Sequence, residues 1–258
     1  MDLGLQGKTA LVTGGSKGIG FACAKLLASE GVRIAICSRS AANVDMALAE
    51  LPGAFGITAD LRSADEATKV VDTVWRELGS LDILVTSAGA AKRTPPQELS
   101  PMAWREAMDN KYFSYINVID PAVKKMAARG VGVIVNIIGS GGKVAAATHL
   151  PGGAANAALM LATVGLASAY AGQGLRIVGV NPGLTHTGRV DAAMKAVAAS
   201  EEITEDEALR RATAAIPIGR LADPEEVASV VAFLCSRQAS YLTGIVVGMD
   251  GASVPVVV

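Results

Sequence analysis

Seven short apolar runs alternate with helically patterned stretches, and that alternation limits the folds open to this 258-residue chain. The runs are Thr9–Val12, Arg33–Cys37, Phe55–Thr58, Ile83–Thr86, Val131–Ile138, Arg176–Val180 and Ile245–Gly248. Most are continuous in Val, Ile and Leu, as strands are when helices cover both faces of their sheet. Strand–helix alternation predicts a mostly parallel α/β sheet with right-handed crossovers. No internal repeat, low-complexity tract or linker interrupts it, so residues 1–258 are expected to form one domain.

The helices carry their own punctuation. Ser63 and Glu66 have capping-box spacing, with Gly79 past the expected helix end. Ser100-Pro101 and Asp223-Pro224 with Glu226 read as further helix starts. After the latter, Val227, Val230, Val231 and Leu234 line one face. The one long irregular stretch is about 184–217, with the charged segment EEITEDEALRR. It is either a lid over a site or a solvated surface helix.

Composition excludes several function classes. Net charge is −1 with neither sign clustered, so no nucleic-acid footprint is present. Cys23, Cys37 and Cys235 lack metal or redox spacing; they read as small core residues, and a reduced, cytoplasmic setting fits. No metal site is expected. The N-terminus lacks a signal-peptide pattern, and no run of about 18 uninterrupted apolar residues suggests a membrane span.

The first run leads into Thr13-Gly14-Gly15-Ser16-Lys17-Gly18-Ile19-Gly20, where a helix is expected to begin. Glycines let backbone approach a pyrophosphate, and the helix N-terminus offers unpaired N–H groups to the anion. Placed after a strand and before a helix, this turn indicates a dinucleotide-binding, Rossmann-type doubly wound sheet.

The TGxxxGxG spacing resembles the short-chain dehydrogenase/reductase family, and further motifs follow in that family's order over about residues 6–252. Asp60-Leu61 resembles the pair that meets the adenine. Thr86-Ser87-Ala88-Gly89 is similar to the family's NNAG turn, with both asparagines replaced. Asn181-Pro182-Gly183 with Thr185 and Thr187 resembles the segment beside the nicotinamide carboxamide. The second strand ends in Ser38-Arg39, with no carboxylate to repel a 2′-phosphate, and Lys17 adds a second cation. The expected cofactor is therefore NADP(H), in preference to NAD(H).

The resemblance implies four proton-transfer residues: asparagine, serine, tyrosine and lysine. Alignment through the flanking motifs puts Lys111 at the asparagine position and Gly139 at the serine position, with Ser140 just beyond. Gly152 stands for the tyrosine and Asn156 for the lysine; no tyrosine lies between Tyr115 and Tyr170. His149, in the loop bordering the substrate, is a candidate acid–base. Ser140 is a candidate hydroxyl. Tyr112 and Tyr115 are more naturally packing residues, and His186 is a weaker candidate for touching ligand. Lys111 and Asn156 have exchanged residue types, which predicts that Lys111 returns a cation near the nicotinamide ribose while Asn156 bonds the sugar or the ammonium.

Three readings follow. The first is an NADP(H)-dependent oxidoreductase acting on a carbonyl or alcohol by a non-standard proton transfer. The others are a non-catalytic NADP(H)-binding sensor or partner subunit, and non-redox chemistry on the same fold. The wall at Val144–Ala147 and Gly152–Ala155 permits a bulky apolar small-molecule substrate. Ala154–Ala171 is apolar nearly all round, and with the family's habits this predicts a homotetramer.

Overall fold

The computed structural model describes residues 2–89 and 91–256. Its strands are β1 (Thr9–Thr13), β2 (Arg33–Ser38), β3 (Phe55–Thr58), β4 (Ile83–Thr86), β5 (Gly132–Ile137), β6 (Leu175–Pro182) and β7 (Val246–Met249). They form one sheet in the order β3-β2-β1-β4-β5-β6-β7, with every neighbouring pair parallel. The order reverses between β1 and β4, so a crevice opens at the carboxyl ends of those strands, beside the glycine-rich turn. Strand ends differ from the sequence reading by a residue or two. The largest difference is β6, which continues through Asn181 and Pro182 by pairing with β7.

The helices are α1 (Gly18–Ser29), α2 (Ala41–Ala49), α3 (Ala64–Leu78), α4 (Pro101–Ala107), α5 (Ser114–Arg129), α6 (Leu150–Tyr170), α7 (Gly188–Glu201), α8 (Glu205–Ala214) and α9 (Pro224–Cys235). Side-chain oxygens of Ser63 and Ser100 accept from the N–H groups of Glu66 and Ala103, and Asp223 with Glu226 forms a capping box. Gly79 ends α3 in the left-handed region, at φ 77°.

Adjacent strand residues explain the continuous apolar runs. Val12, Val85 and Val135 face a core built with α1 and α9. Their neighbours Leu11, Leu84 and Ile134 face the opposite core, against α3, α5 and α6. All three cysteines are buried in these cores; burial raises their thiols, Cys37 and Cys235 to about 12, so none is a thiolate at neutral pH.

One expectation needs correction. The stretch 184–217 is not irregular with one charged helix: it holds α7 and α8, and EEITEDEALRR spans the break between them. Glu202 turns into the left-handed region at φ 54°, and Thr204 then caps α8. One helical segment, Ala147–Gln173, is long and apolar enough by composition to cross a membrane, with mean hydropathy 1.4, a test that core helices also pass. The scattered Asn, Thr and Ser residues that interrupt the run do not lower its average enough. Here its inner face packs on the sheet, where Asn136 Nδ2 donates to Thr163 Oγ1 at 2.9 Å.

Candidate active site

The glycine-rich turn brings bare backbone to the mouth of the crevice. Gly14 lies at φ +66°, and a Cβ there would meet Ala88 N and Ser87 O at 2.8 Å. Thr13 Oγ1 ties the two turns together by accepting from Ser87 N at 3.2 Å and Ala88 N at 3.4 Å. Lys17 caps α1 in extended backbone, and the first turn carries no acidic residue. The amides of Gly18, Ile19 and Gly20, preceded by Ser16, therefore form an anion-binding helix start. Gly18 sits against Thr187, whose Cγ2 would lie 3.2 Å from an added Cβ. That contact brings the segment after β6 to the same turn. Within it, Thr187 Oγ1 donates to Thr185 O, and Thr185 Oγ1 donates to Gly183 O, both at 3.2 Å. Pro182 closes β6 just before them.

The crevice beside the end of β2 is cationic. Arg39 follows Ser38 at the end of β2; it and Lys17 are exposed, and neither joins an ion pair among the described residues. Asp60 is not a free acceptor here. Hydrogen bonds from Arg62 hold its carboxyl below the usual carboxylate range, with Arg39 adding to the effect. Leu61 is buried beneath it.

Gly139, Gly152 and Asn156 lie where the turn after β5 packs on α6, and α6 also packs on the π-helical turn that carries Lys111. Gly139 adopts φ +127° and donates its N–H to Asn181 Oδ1 at 3.2 Å. Ser140 opens the turn that follows, and that turn lies directly on α6. The packing is close because both surfaces are glycine-rich: a Cβ on Gly142 would meet Ala157 N at 2.7 Å, and one on Gly153 would meet Gly141 O at 2.7 Å. Asn156 Nδ2 would lie 3.3 Å from a Cβ on Gly139.

His149 occupies the space above Gly152. A Cβ on Gly152 would collide with the imidazole, reaching Nε2 at 2.7 Å. The same ring covers Gly141, whose added Cβ would touch Cδ2 at 3.1 Å. His149 Nδ1 is buried without a hydrogen-bond partner. Burial lowers the imidazole pKa below the ordinary histidine value, and Arg93, Lys111 and Arg189 lower it further.

Of the two partners expected for Asn156, the sugar or the Lys111 ammonium, the second is not engaged. That ammonium makes no hydrogen bond to Asn156. It donates instead to Tyr115 Oη at 2.8 Å and to Ile137 O at 3.1 Å, while Tyr115 Oη also donates to Ile137 O. The cause is a π-helical turn, Met108–Phe113, between α4 and α5, which points Lys111 inward below β5. Burial, with a smaller contribution from Arg189, lowers the Lys111 pKa to about 7 and burial raises that of Tyr115. Tyr115 is thus a buried partner of Lys111 as well as a packing residue. Its i,i+4 spacing from Lys111 was the available sequence signal.

Tyr112 packs edge-on against Phe113, as a packing residue should. His186 is exposed, and its amide pairs with Ala222. Sequence reasoning missed Arg93 and Arg189. Arg93 Nη1 donates to Thr148 Oγ1 at 3.2 Å, next to His149. Arg189, in the first turn of α7, reaches Gly89 O at 3.5 Å. Gly89, at φ +95°, is wedged against Ser114 Oγ, so Arg189 meets the turn that also borders the Lys111 helix.

A family model described as enoyl-(acyl carrier protein) reductase matches residues 14–252. The chain is 34% identical to cis-4-hydroxycyclohexanecarboxylate dehydrogenase of Sinomonas cyclohexanicum, over 95% of each chain. It is 33% identical to the 3-oxoacyl-[acyl-carrier-protein] reductase of Aquifex aeolicus, over 97% of this chain and 99% of the other. Among solved structures, L-sorbose reductase from Gluconobacter frateurii, complexed with NADPH and L-sorbose, superposes with a TM-score of 0.94 at 27% identity, covering both chains fully. An actinorhodin polyketide ketoreductase variant with NADPH gives 0.92 at 31% identity, covering 95% of this chain and 97% of that one. With the strand order, the glycine turn and these matches in agreement, the chain belongs to the short-chain dehydrogenase/reductase family.

Proposed function

We propose that this protein is an NADP(H)-dependent oxidoreductase that interconverts an alcohol and a carbonyl, with His149 transferring the proton. One observation carries the reading: the His149 ring fills the space over Gly152 that a side chain at that position would take. The cofactor, when bound, gives or takes the hydride. The amides at Gly18–Gly20 hold its pyrophosphate, and Lys17 and Arg39 hold the 2′-phosphate. Ser38, Ser87, Ala88 and Gly89 line the ribose and adenine side. Asn156, on α6 beside Gly139, binds the nicotinamide ribose, and Ser140 orients the substrate oxygen. In reduction His149 donates a proton to the carbonyl oxygen; in oxidation it removes one from the alcohol. The helices α7 and α8 act as the substrate lid.

A second reading, a binding protein without turnover, is favoured by the engagement of Lys111 with Tyr115 and Ile137. NADPH oxidation against a panel of ketones, aldehydes and 3-oxoacyl thioesters separates the two. Turnover supports the oxidoreductase, and tight NADPH binding with no turnover supports the other.

We also propose a homotetramer in the cytoplasm, where three unpaired cysteines suit a reducing compartment. On α6, Leu161 is 76% exposed, and on α4 and the turn after it Trp104, Met108 and Phe113 line an open hollow together with Arg105 and Asp109. Such surface is usually covered by a partner. Light scattering at micromolar concentration should give four times the chain mass; a monomer would overturn this.

A further inference from the structure

The substrate side of the crevice is built almost without negative charge. Between Asp120 and Asp191 the chain has no Asp or Glu, and residues 88–97 have none either. These two segments supply the β4 turn, the β5 turn, the start of α6 and the approach to α7. They bring Lys92, Arg93, Lys143 and Arg189 instead. None of these four joins an ion pair among the described residues, whereas elsewhere Arg62, Arg129, Arg210, Arg211 and Arg220 all do.

Two of the four are placed by hydrogen bonds. The segment at Arg93 is pinned to the His149 loop twice, by Arg93 to Thr148 Oγ1 and by Thr94 N to Thr148 O at 2.8 Å. Arg189 reaches from α7 to Gly89 O. Both side chains are exposed, and each contact uses one guanidinium nitrogen on a neutral oxygen. The remaining donors are available to an incoming group, and the guanidinium fork fits a carboxylate better than any neutral oxygen. The charged groups that act on His149 are Arg93, Lys111 and Arg189, all cations.

We propose that Arg93 and Arg189 bind the carboxylate of an anionic substrate, so that the group turned over at His149 belongs to a hydroxy acid or oxo acid. The identity of that reacting group rests on the oxidoreductase reading above; the anion site itself does not. The test therefore uses inert probes. Cyclohexanecarboxylate and cyclohexanecarboxamide are titrated by calorimetry into protein saturated with NADPH. The carboxylate should bind about tenfold or more tightly than the amide, the discrimination expected of charge-assisted pairs. In Arg93→Gln and in Arg189→Gln that preference should shrink several-fold. Equal binding of the two probes, no binding of either, or a preference unchanged in both variants overturns the proposal. Carboxylate preference without turnover of any oxo acid or neutral ketone would retire the oxidoreductase reading alone. Turnover of neutral ketones without carboxylate preference would retire the anion site alone.

Discussion

The two halves of one crevice are built from different materials. The half proposed to hold the nucleotide is made of backbone: glycines at positive φ, a helix start and strand-end turns with amides open to a ligand. The half proposed to transfer the proton is made of side chains, and there His149, Asn156, Lys111 and Ser140 occupy an arrangement set by local packing. A backbone site depends on glycine spacing and tolerates change around it. A side-chain site depends on identities. Lys111, in the π-helical turn, is engaged by Tyr115 and by Ile137 O of β5 and so depends on both neighbours.

The sharpest way to break this contrast is His149→Ala. Reduction should lose about a hundredfold or more in kcat/KM, with NADPH affinity within about twofold. Steady-state kinetics with fluorescence titration measures both; parallel losses would mean that His149 belongs to the nucleotide half. The pH profile sharpens the same point. If His149 donates the proton, reduction needs the imidazolium; its pKa lies below the ordinary value, so kcat/KM should fall as pH rises through that lowered pKa. His149→Ala should remove that limb.

The next largest effect is on stability. Lys111 is pushed from 10.5 to about 7 in the folded chain. Between those pH values the unfolded chain holds a proton that the folded chain lacks, so wild-type stability should rise with pH across that window. Below about 7 both states are protonated and the full cost of the buried ammonium remains. Lys111→Met should therefore be the more stable protein at neutral pH, by about 2 kcal/mol. The gap should close as pH approaches the ordinary lysine range. Denaturant unfolding across that window checks it. A destabilised variant would mean that the bonds to Tyr115 and Ile137 outweigh the desolvation.

The smallest effect concerns the cations at the adenine end. Lys17→Gln and Arg39→Gln should each weaken NADPH binding about tenfold and leave NADH binding nearly unchanged. Equal losses for the two cofactors would move these residues off the 2′-phosphate.

The same contrast explains what could be read in advance. Seven parallel strands, the caps at Ser63, Ser100 and Asp223, and the glycine turn were legible because periodicity and turn chemistry are local. His149 and Gly152 were legible as positions in a motif. That the ring lies over Gly152 was not, because it depends on the φ and ψ of the His149 loop. Arg93 and Arg189 were invisible for a related reason: they are far apart in the chain, and only the fold brings them to one rim. The break between α7 and α8 was hidden because Glu202 adopts a conformation that glutamate rarely takes.

The ring over Gly152 has a consequence for substitution. A tyrosine introduced at position 152 alone would run into His149, and a serine introduced at position 139 would have to adopt a backbone angle that suits glycine. The first obstacle is a neighbouring ring and the second is the residue's own backbone angle. A side chain at position 152 therefore requires a change at position 149 as well, so the two positions are coupled in what either can accept.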